Sequence, residues 1–137
     1  MIAALQPLGP FPQAVCEDLV TWAGRRPNAT LLAERSGDSW VRLTYGDALA
    51  RVRSIGAGLL KSPASQEMPL GVIAANGIDH ALVTLAAQYV GIPVSPISVG
   101  YVAPESTPGR LRELLAALAS RVFFAGNAAI ARRIVAA

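Results

Sequence analysis

Two neighbouring stretches of the chain carry residue types that could bind a ligand or move a proton. Asn76-Gly77 lies between an apolar run and a helical pattern, where α/β folds often bind ligands. Asp79 and His80 follow at once and could form an acid–base pair. However, one glycine is too few for a dinucleotide-binding fingerprint, and adjacent helical residues point in different directions. The pattern therefore favours a simple turn at Asn76-Gly77 and a solvated or capping role for Asp79 and His80.

The stretch "GAGLLKS", residues 56–62, has some features of a phosphate-binding loop. Leu60 stands where such a loop needs a glycine before the lysine, and the segment ends a helical pattern instead of joining a strand to a helix. Gly56 and Gly58 are also not followed by the third glycine of a dinucleotide fingerprint. The stretch is therefore predicted to be a helix C-terminus with its basic residue Lys61.

The single cysteine, Cys16, has no basic neighbour in sequence that would favour its thiolate. One cysteine cannot form an internal disulfide, and it makes a zinc site improbable. Cys16 is therefore interpreted as a small helix residue in a protein of a reducing compartment. Taken alone, the residues indicate an α/β chain without an assembled active site.

Composition excludes several classes of protein. The chain has 137 residues, of which 53% are hydrophobic and 15% charged, so it is not a disordered polypeptide. The net charge is only +3 and the basic residues are scattered, which argues against a nucleic-acid partner. Among the basic residues, only Arg25/Arg26 and Arg132/Arg133 are adjacent pairs.

The longest uncharged run, residues 81–104, is too interrupted to predict a membrane span. Gly91, Pro93, Pro96 and Gly100 leave about a dozen continuous apolar residues, fewer than the ~20 that a span needs. The N-terminus has no positively charged start and no long apolar core before its prolines, so we expect no signal peptide. The chain is predicted to be soluble and cytoplasmic.

The first part of the chain predicts a helix, a hairpin and a second helix. Pro7, Pro10 and Pro12 disfavour helix at the start. A short helix is expected at 17–24, and the strands "TLLAER" and "SWVRLT" flank a turn at residues 36–38. Thr44 is the expected N-cap of a helix whose apolar residues repeat at three and four positions.

From Pro69 onward, strands and helices alternate. The predicted elements are a strand at 69–75 covered on both faces, a well-buried helix at 78–90, a strand at 92–97, a helix opened by Thr107 and Pro108, a buried strand at 121–125, and a helix opened by Asn127. Alternation with short links predicts an α/β fold in which a parallel sheet is layered with helices. We find no internal domain boundary in 1–137. A parallel sheet usually has more strands, so the chain is expected to be part of a larger domain.

The strand at 92–97 contains Pro93 and Pro96, which lack the N–H that a central strand needs. The strand should therefore be short or lie at an edge of the sheet. Gly91, directly before it, should let the preceding helix stop.

Three stretches in order resemble the adenylate-forming enzymes, which include acyl- and aryl-CoA synthetases, luciferases and peptide-synthetase adenylation domains. "RLTYGDALARVRSIGAGLL" resembles their first core motif, in which a strand ending in Thr-Tyr leads into a helix with an acid three residues after the Thr. "PLGVIAANGIDHALVTLAAQYVGIPVSPIS" resembles the next stretch, with its Asn-containing turn and G-x-P-V-x-P. "PLGPFPQAVCEDLVTWAGRRPNATLLAER" is most similar to feruloyl-CoA synthetases.

The resemblance implies an incomplete part of the large N-terminal domain of such an enzyme. It implies an acid–CoA ligase that uses ATP and Mg²⁺ to convert an aromatic or other small carboxylic acid into an acyl-adenylate, and then transfers the acyl group to CoA. The family's Ser/Thr/Gly-rich loop ending in Pro-Lys, its Thr-Glu pair, its ribose-binding Asp and its C-terminal-domain Lys do not occur in this sequence. We therefore expect no catalytic, cofactor-binding or metal-binding residue here, and no activity from the chain alone.

Two other interpretations stay open at this point. The chain could be a free-standing α/β nucleotide- or partner-binding module that uses the strand ends near Asn76 and Ser98. It could also be a truncated gene product without a function of its own.

Overall fold

The computed structural model describes residues 9–103 and 106–137. The predicted proline-rich start is described only from Gly9, so Pro7 lies outside the described residues, and so does Pro104. The elements in chain order are helix α1 (Val15–Arg25), strands β1 (Thr30–Ser36) and β2 (Ser39–Thr44), helix α2 (Tyr45–Leu59), β3 (Leu70–Ile73), α3 (Ile78–Tyr89), β4 (Val94–Ile97), a 3₁₀ turn (Val99–Val102), α4 (Pro108–Ala117), β5 (Val122–Ala125) and α5 (Ala128–Val135).

The predicted hairpin is present. β1 and β2 are antiparallel, with Ser36 paired to Ser39 across the turn. Gly37 occupies this turn with φ +58°, a conformation that glycine adopts without steric cost. Leu31 and Leu32 pack against a core formed by α1, α2 and α3, whereas Trp40 at the far end of the hairpin is 55% exposed.

Thr44 caps α2 as predicted. Its hydroxyl accepts a hydrogen bond from the Asp47 backbone N–H at 3.2 Å and donates one to the Asp47 carboxylate at 2.9 Å. The acid thus supports the cap through the threonine hydroxyl. This arrangement satisfies one of the N–H groups that the first helical turn leaves without a partner.

The parallel sheet has the strand order β4-β3-β5. β3 is central, and all four of its residues are buried, as its apolar run predicts. β4 lies at an edge, which confirms the position expected from Pro93 and Pro96. β5 was expected to be buried, but its four residues are only half-buried, because it pairs with one strand while β3 pairs with two.

Alternation along β3 assigns its side chains to two cores. Leu70 and Val72 pack with Val83 and Ala87 of α3 on one face of the sheet. Ile73 packs with Leu111 of α4 and with residues of α5 on the other face. Successive strand residues point to opposite faces, so β3 joins the two cores.

α3 buries one face rather than its whole circumference. Its buried residues are Ile78, Leu82, Val83, Ala86 and Ala87, whereas Asp79 and Gln88 are exposed. Gly91 follows the helix with φ +76°, so a left-handed residue ends α3 as expected. Burial of α3 is therefore narrower than its nearly continuous apolar sequence predicts.

Across the described residues, none of the helices is long and apolar enough to cross a membrane.

Candidate functional site

The carboxyl ends of the parallel strands border a cavity of about 370 Å³, here called the strand-end cavity. Parallel strands end at the same edge of their sheet, and α/β folds commonly bind ligands there. β1, β3, α3, the 3₁₀ turn, β5 and α5, together with the turns after β3 and β5, all contribute to the wall. The lining residues are Glu34, Ala74, Ala75, Gly77, Asp79, His80, Val99, Phe124, Gly126, Asn127 and Ile130.

A carboxylate from the hairpin forms one side of this cavity. Gly77 is the N-cap residue of α3 and has no side chain with which to cap it. Instead, Glu34 Oε2 accepts a hydrogen bond from the Ile78 backbone N–H at 2.6 Å. A Cβ at position 77 would lie 2.8 Å from the same oxygen, so glycine is required for the close approach of the carboxylate. A negative charge at a helix N-terminus is also favoured by the helix dipole.

The turn after β5 forms the opposite side. Asn127 caps α5, because its Oδ1 accepts a hydrogen bond from the Ile130 N–H at 2.9 Å. The Gly126 N–H donates to the Ile73 carbonyl at 2.9 Å and so continues the pairing of β5 with β3. A Cβ at Gly126 would come within 2.9 Å of Ala74 Cβ, so the two chain segments meet as closely as glycine allows.

Asp79 and His80 both line the strand-end cavity, but within the described chain no hydrogen bond joins them. Asp79 is exposed, which agrees with the solvated role predicted for it. His80 is half-buried, and Glu34 rather than either of these residues caps α3. Asn76 and Ser98, the strand-end residues singled out from the sequence, do not line this cavity; their neighbours Gly77 and Val99 do.

Cys16 is a buried residue of α1, as expected for a small helix residue. Its exposure is 5%, and its Sγ donates a weak hydrogen bond to the Leu85 carbonyl at 3.4 Å. Burial raises the pKa of the Cys16 thiol above its usual value, because the charged thiolate loses solvation. A thiol in this environment is a poor nucleophile.

The "GAGLLKS" stretch ends α2, as predicted. The Leu60 N–H donates to the Gly56 carbonyl at 3.0 Å. The Ser62 hydroxyl donates to the Leu59 carbonyl at 2.7 Å and accepts from the Ala64 N–H at 3.2 Å. These hydrogen bonds satisfy groups of a helix C-terminus, so the stretch has a structural role.

In the part of the chain that the structure describes, no three His, Cys, Asp or Glu side chains are grouped so as to hold a metal ion.

Sequence reasoning missed Glu34 and the Gly126-Asn127 turn as parts of one cavity. Gly126-Asn127 has the same signal as Asn76-Gly77, a Gly/Asn pair between an apolar strand and a helix, and the signal could have been applied to both. Glu34 carries no local signal, because it is 44 residues away from Ile78, to which it bonds.

Comparison with solved structures shows the fold. VinN is similar with a TM-score of 0.76 and 20% identity, over 93% of this chain and 30% of that chain. A fatty acid AMP ligase from Legionella pneumophila has a TM-score of 0.71 and 16% identity, over 82% of this chain and 19% of that one. The N-terminal subdomain of NpsA from Klebsiella oxytoca has a TM-score of 0.67 and 16% identity, over 84% and 28%. The chain therefore spans less than a third of each of these proteins.

Comparison by sequence adds one finding. The profile of the family described as AMP-binding enzyme matches residues 19–136. No curated protein matches the chain.

Proposed function

We propose a function from one fact: the chain belongs to the AMP-binding enzyme family, whose profile covers residues 19–136. Our proposal is that the chain forms the opening part of the large N-terminal domain of an ATP-dependent acid–CoA ligase, with no domain boundary inside it. The ligase activates a carboxylic acid as an acyl-adenylate, releases pyrophosphate and forms a CoA thioester. The similarity to the N-terminal subdomain of NpsA supports the placement at the start of such a domain.

The proposed substrate is an aromatic acid of the ferulate type. The support is the similarity of residues 7–35 to feruloyl-CoA synthetases and of the motifs at 42–60 and 69–98 to the wider family. ATP, Mg²⁺ and CoA are the proposed co-substrates and cofactor, since adenylation needs positive charge around the triphosphate. The cytoplasm supplies all three and is the proposed compartment.

The proposed role of these 137 residues is scaffolding. Among the described residues that line the strand-end cavity, Glu34 and Asp79 are carboxylates and none is a lysine or arginine. Such a lining repels a triphosphate, so the cavity is a poor ATP site. The elements that resemble the family motifs, Thr44 with α2 and the strand β4, form the core and an edge of the sheet.

Pyrophosphate exchange tests the scaffolding role. The purified chain is incubated with ATP, Mg²⁺, ferulate and labelled pyrophosphate. We expect no incorporation of label into ATP above the value without ferulate. Ferulate-dependent exchange by the chain alone would contradict the scaffolding role and would assign it a catalytic site.

A second test addresses the ligase itself. The nucleotide sequence after the codon for Ala137 is expected to encode a Ser/Thr/Gly-rich loop that ends in Lys. Its presence would support the ligase proposal, and an unrelated reading in every frame would count against it.

The strand-end cavity also supports a second function, a nucleotide- or partner-binding module. The supporting observation is the position of the cavity at the carboxyl ends of parallel strands. Calorimetric titration of the chain with ATP separates the two proposals. Saturable binding would favour the module, whereas the carboxylate lining predicts none.

A further inference from the structure

A second cavity, here called the hairpin groove, lies between β1 and α3. Its volume is about 420 Å³, within the usual range for small-molecule pockets. Leu31 and Leu32 form one wall, and His80, Ala81, Thr84 and Leu85 form the other. The walls are mainly apolar, so they suit a ligand that buries hydrocarbon.

The α3 wall contains two buried polar atoms. Within the described part of the chain, neither His80 Nδ1 nor Thr84 Oγ1 has a hydrogen-bond partner. Threonine inside a helix often donates to the carbonyl four residues earlier, which here is that of His80, but Thr84 does not. An unpaired buried polar atom is destabilising and calls for a partner. His80 and Thr84 are four residues apart and lie on the same side of α3, so one polar group can serve both.

We propose that the hairpin groove binds a small uncharged molecule with an apolar body and one hydroxyl group. The hydroxyl lies between His80 Nδ1 and Thr84 Oγ1, and the apolar body contacts the leucines of β1. A hydroxyl both donates and accepts, so it pairs with the imidazole nitrogen in either protonation state and with the threonine hydroxyl. Threonine has two accessible χ1 rotamers in a helix, and the imidazole torsion is broad, so both atoms can turn toward the ligand while α3 stays in place.

Charge at one end of the hairpin groove excludes an anion. Gly77 lines the groove, and the Glu34 carboxylate lies 2.6 Å from the next backbone nitrogen, that of Ile78. None of the described lining residues is a lysine or arginine. A carboxylate ligand would therefore be buried beside a like charge and without a cationic partner. The ligand thus differs in class from the carboxylic acid of the proposed ligase, and this proposal does not rest on that function.

Three probes with the same ring test the proposal. Benzyl alcohol, toluene and benzoate are titrated into the isotope-labelled 137-residue chain, and amide shifts are followed on β1 and α3. We expect saturable shifts with benzyl alcohol, with a dissociation constant about fivefold lower than that of toluene, since the hydroxyl gains hydrogen bonds that toluene lacks. Benzoate should give no saturable shift in these elements. Equal affinity for the alcohol and toluene, or a preference for benzoate, would overturn the proposal.

Variants of Thr84 identify the contact. Thr84→Val keeps the shape of the side chain and removes the hydroxyl, so the preference for benzyl alcohol over toluene should fall toward unity. Thr84→Ser keeps the hydroxyl and should retain the preference. Thr21→Val, an exposed site on α1, is the matched control and should behave as the unchanged chain does. If Thr84→Val leaves the preference intact, an ordered water or the leucines alone account for the hairpin groove, and the proposal is wrong.

Discussion

The two junctions that lead from the sheet into a helix use the same pair of residue types in opposite order. After β5 the order is Gly126-Asn127, which places asparagine at the N-cap of α5, where its side chain accepts the Ile130 N–H. After β3 the order is Asn76-Gly77, which places glycine at the N-cap of α3. The missing cap is then supplied by Glu34 of the hairpin.

The difference teaches that a cap can be local or tertiary, with different consequences for cooperativity. The cap of α5 is a contact over three residues and depends on no other element. The cap of α3 joins the hairpin to the first turn of the helix, so each depends on the other. A change at the β5 junction should therefore stay local, whereas a change at the β3 junction should affect both the hairpin and α3.

The largest effect is expected at the glycine that brings the two junctions together. In Gly126→Ala, the new Cβ would lie 2.9 Å from Ala74 Cβ and 3.1 Å from Ala74 Cα. Backbone and Cβ atoms cannot move aside, so we expect a loss of about 2 kcal/mol in the free energy of unfolding, measured by urea denaturation. Gly58→Ala is the control: it has nothing within 4 Å and lies inside α2, so it should stabilise by up to about 1 kcal/mol. Wild-type stability of Gly126→Ala would show that the junctions are less tightly packed.

Removal of the tertiary cap should have the next largest effect. Glu34→Ala deletes the acceptor of the Ile78 N–H, and we expect a loss of about 1.5 kcal/mol. Faster hydrogen exchange should appear at the start of α3 and also in the hairpin. Glu67→Ala, an exposed loop carboxylate, should change stability by less than about 0.5 kcal/mol. Faster exchange confined to α3 would contradict the coupling of the two elements.

Removal of the local cap should cost less. Asn127→Ala deletes the acceptor of the Ile130 N–H, with an expected loss of about 1 kcal/mol. Exchange should accelerate in the first turn of α5 and remain unchanged in the hairpin. Asn127→Ser, which keeps a capping oxygen, should recover most of the stability. A hairpin that responds to Asn127→Ala would remove the distinction between the two junctions.

The smallest effect is an interaction energy. In Gly77→Ala the new Cβ would lie 2.8 Å from Glu34 Oε2 and would displace the same carboxylate. Glu34→Ala and Gly77→Ala should therefore be non-additive, with an interaction energy of about 0.5 to 1 kcal/mol. The pair Glu34→Ala and Asn127→Ala shares no partner and should add within about 0.5 kcal/mol. Additivity of the first pair, measured by a double-mutant cycle, would mean that glycine at position 77 does not serve the cap.

Sequence reasoning predicted what local chemistry determines. Thr44 as a cap, Gly91 as a helix end and the buried run of β3 follow from residue type and spacing, and each is confirmed. Pro93 and Pro96 predicted an edge strand, because proline lacks the N–H of a central strand. The expected burial of β5 was wrong, because an apolar run does not reveal how many neighbours its strand will have.

The strand-end cavity could be predicted only in part. Asn76-Gly77 marked the right edge of the sheet, since the end of a strand followed by a helix is visible in the sequence. The partners across that edge, Glu34 and Gly126, come from strands that are far apart in the chain. The two unpaired atoms of His80 and Thr84 were equally hidden, because pairing depends on which groups pack nearby.

The sequence by itself determined the elements, their local caps and the membership of the chain in the AMP-binding enzyme family. Only the tertiary structure decided which carboxylate caps α3, which residues close the strand-end cavity, and which polar atoms of the hairpin groove lack a partner. The physical reason is range. Backbone conformation and side-chain capping act over a few residues, whereas a hydrogen bond over 44 residues exists only once the hairpin and α3 have packed.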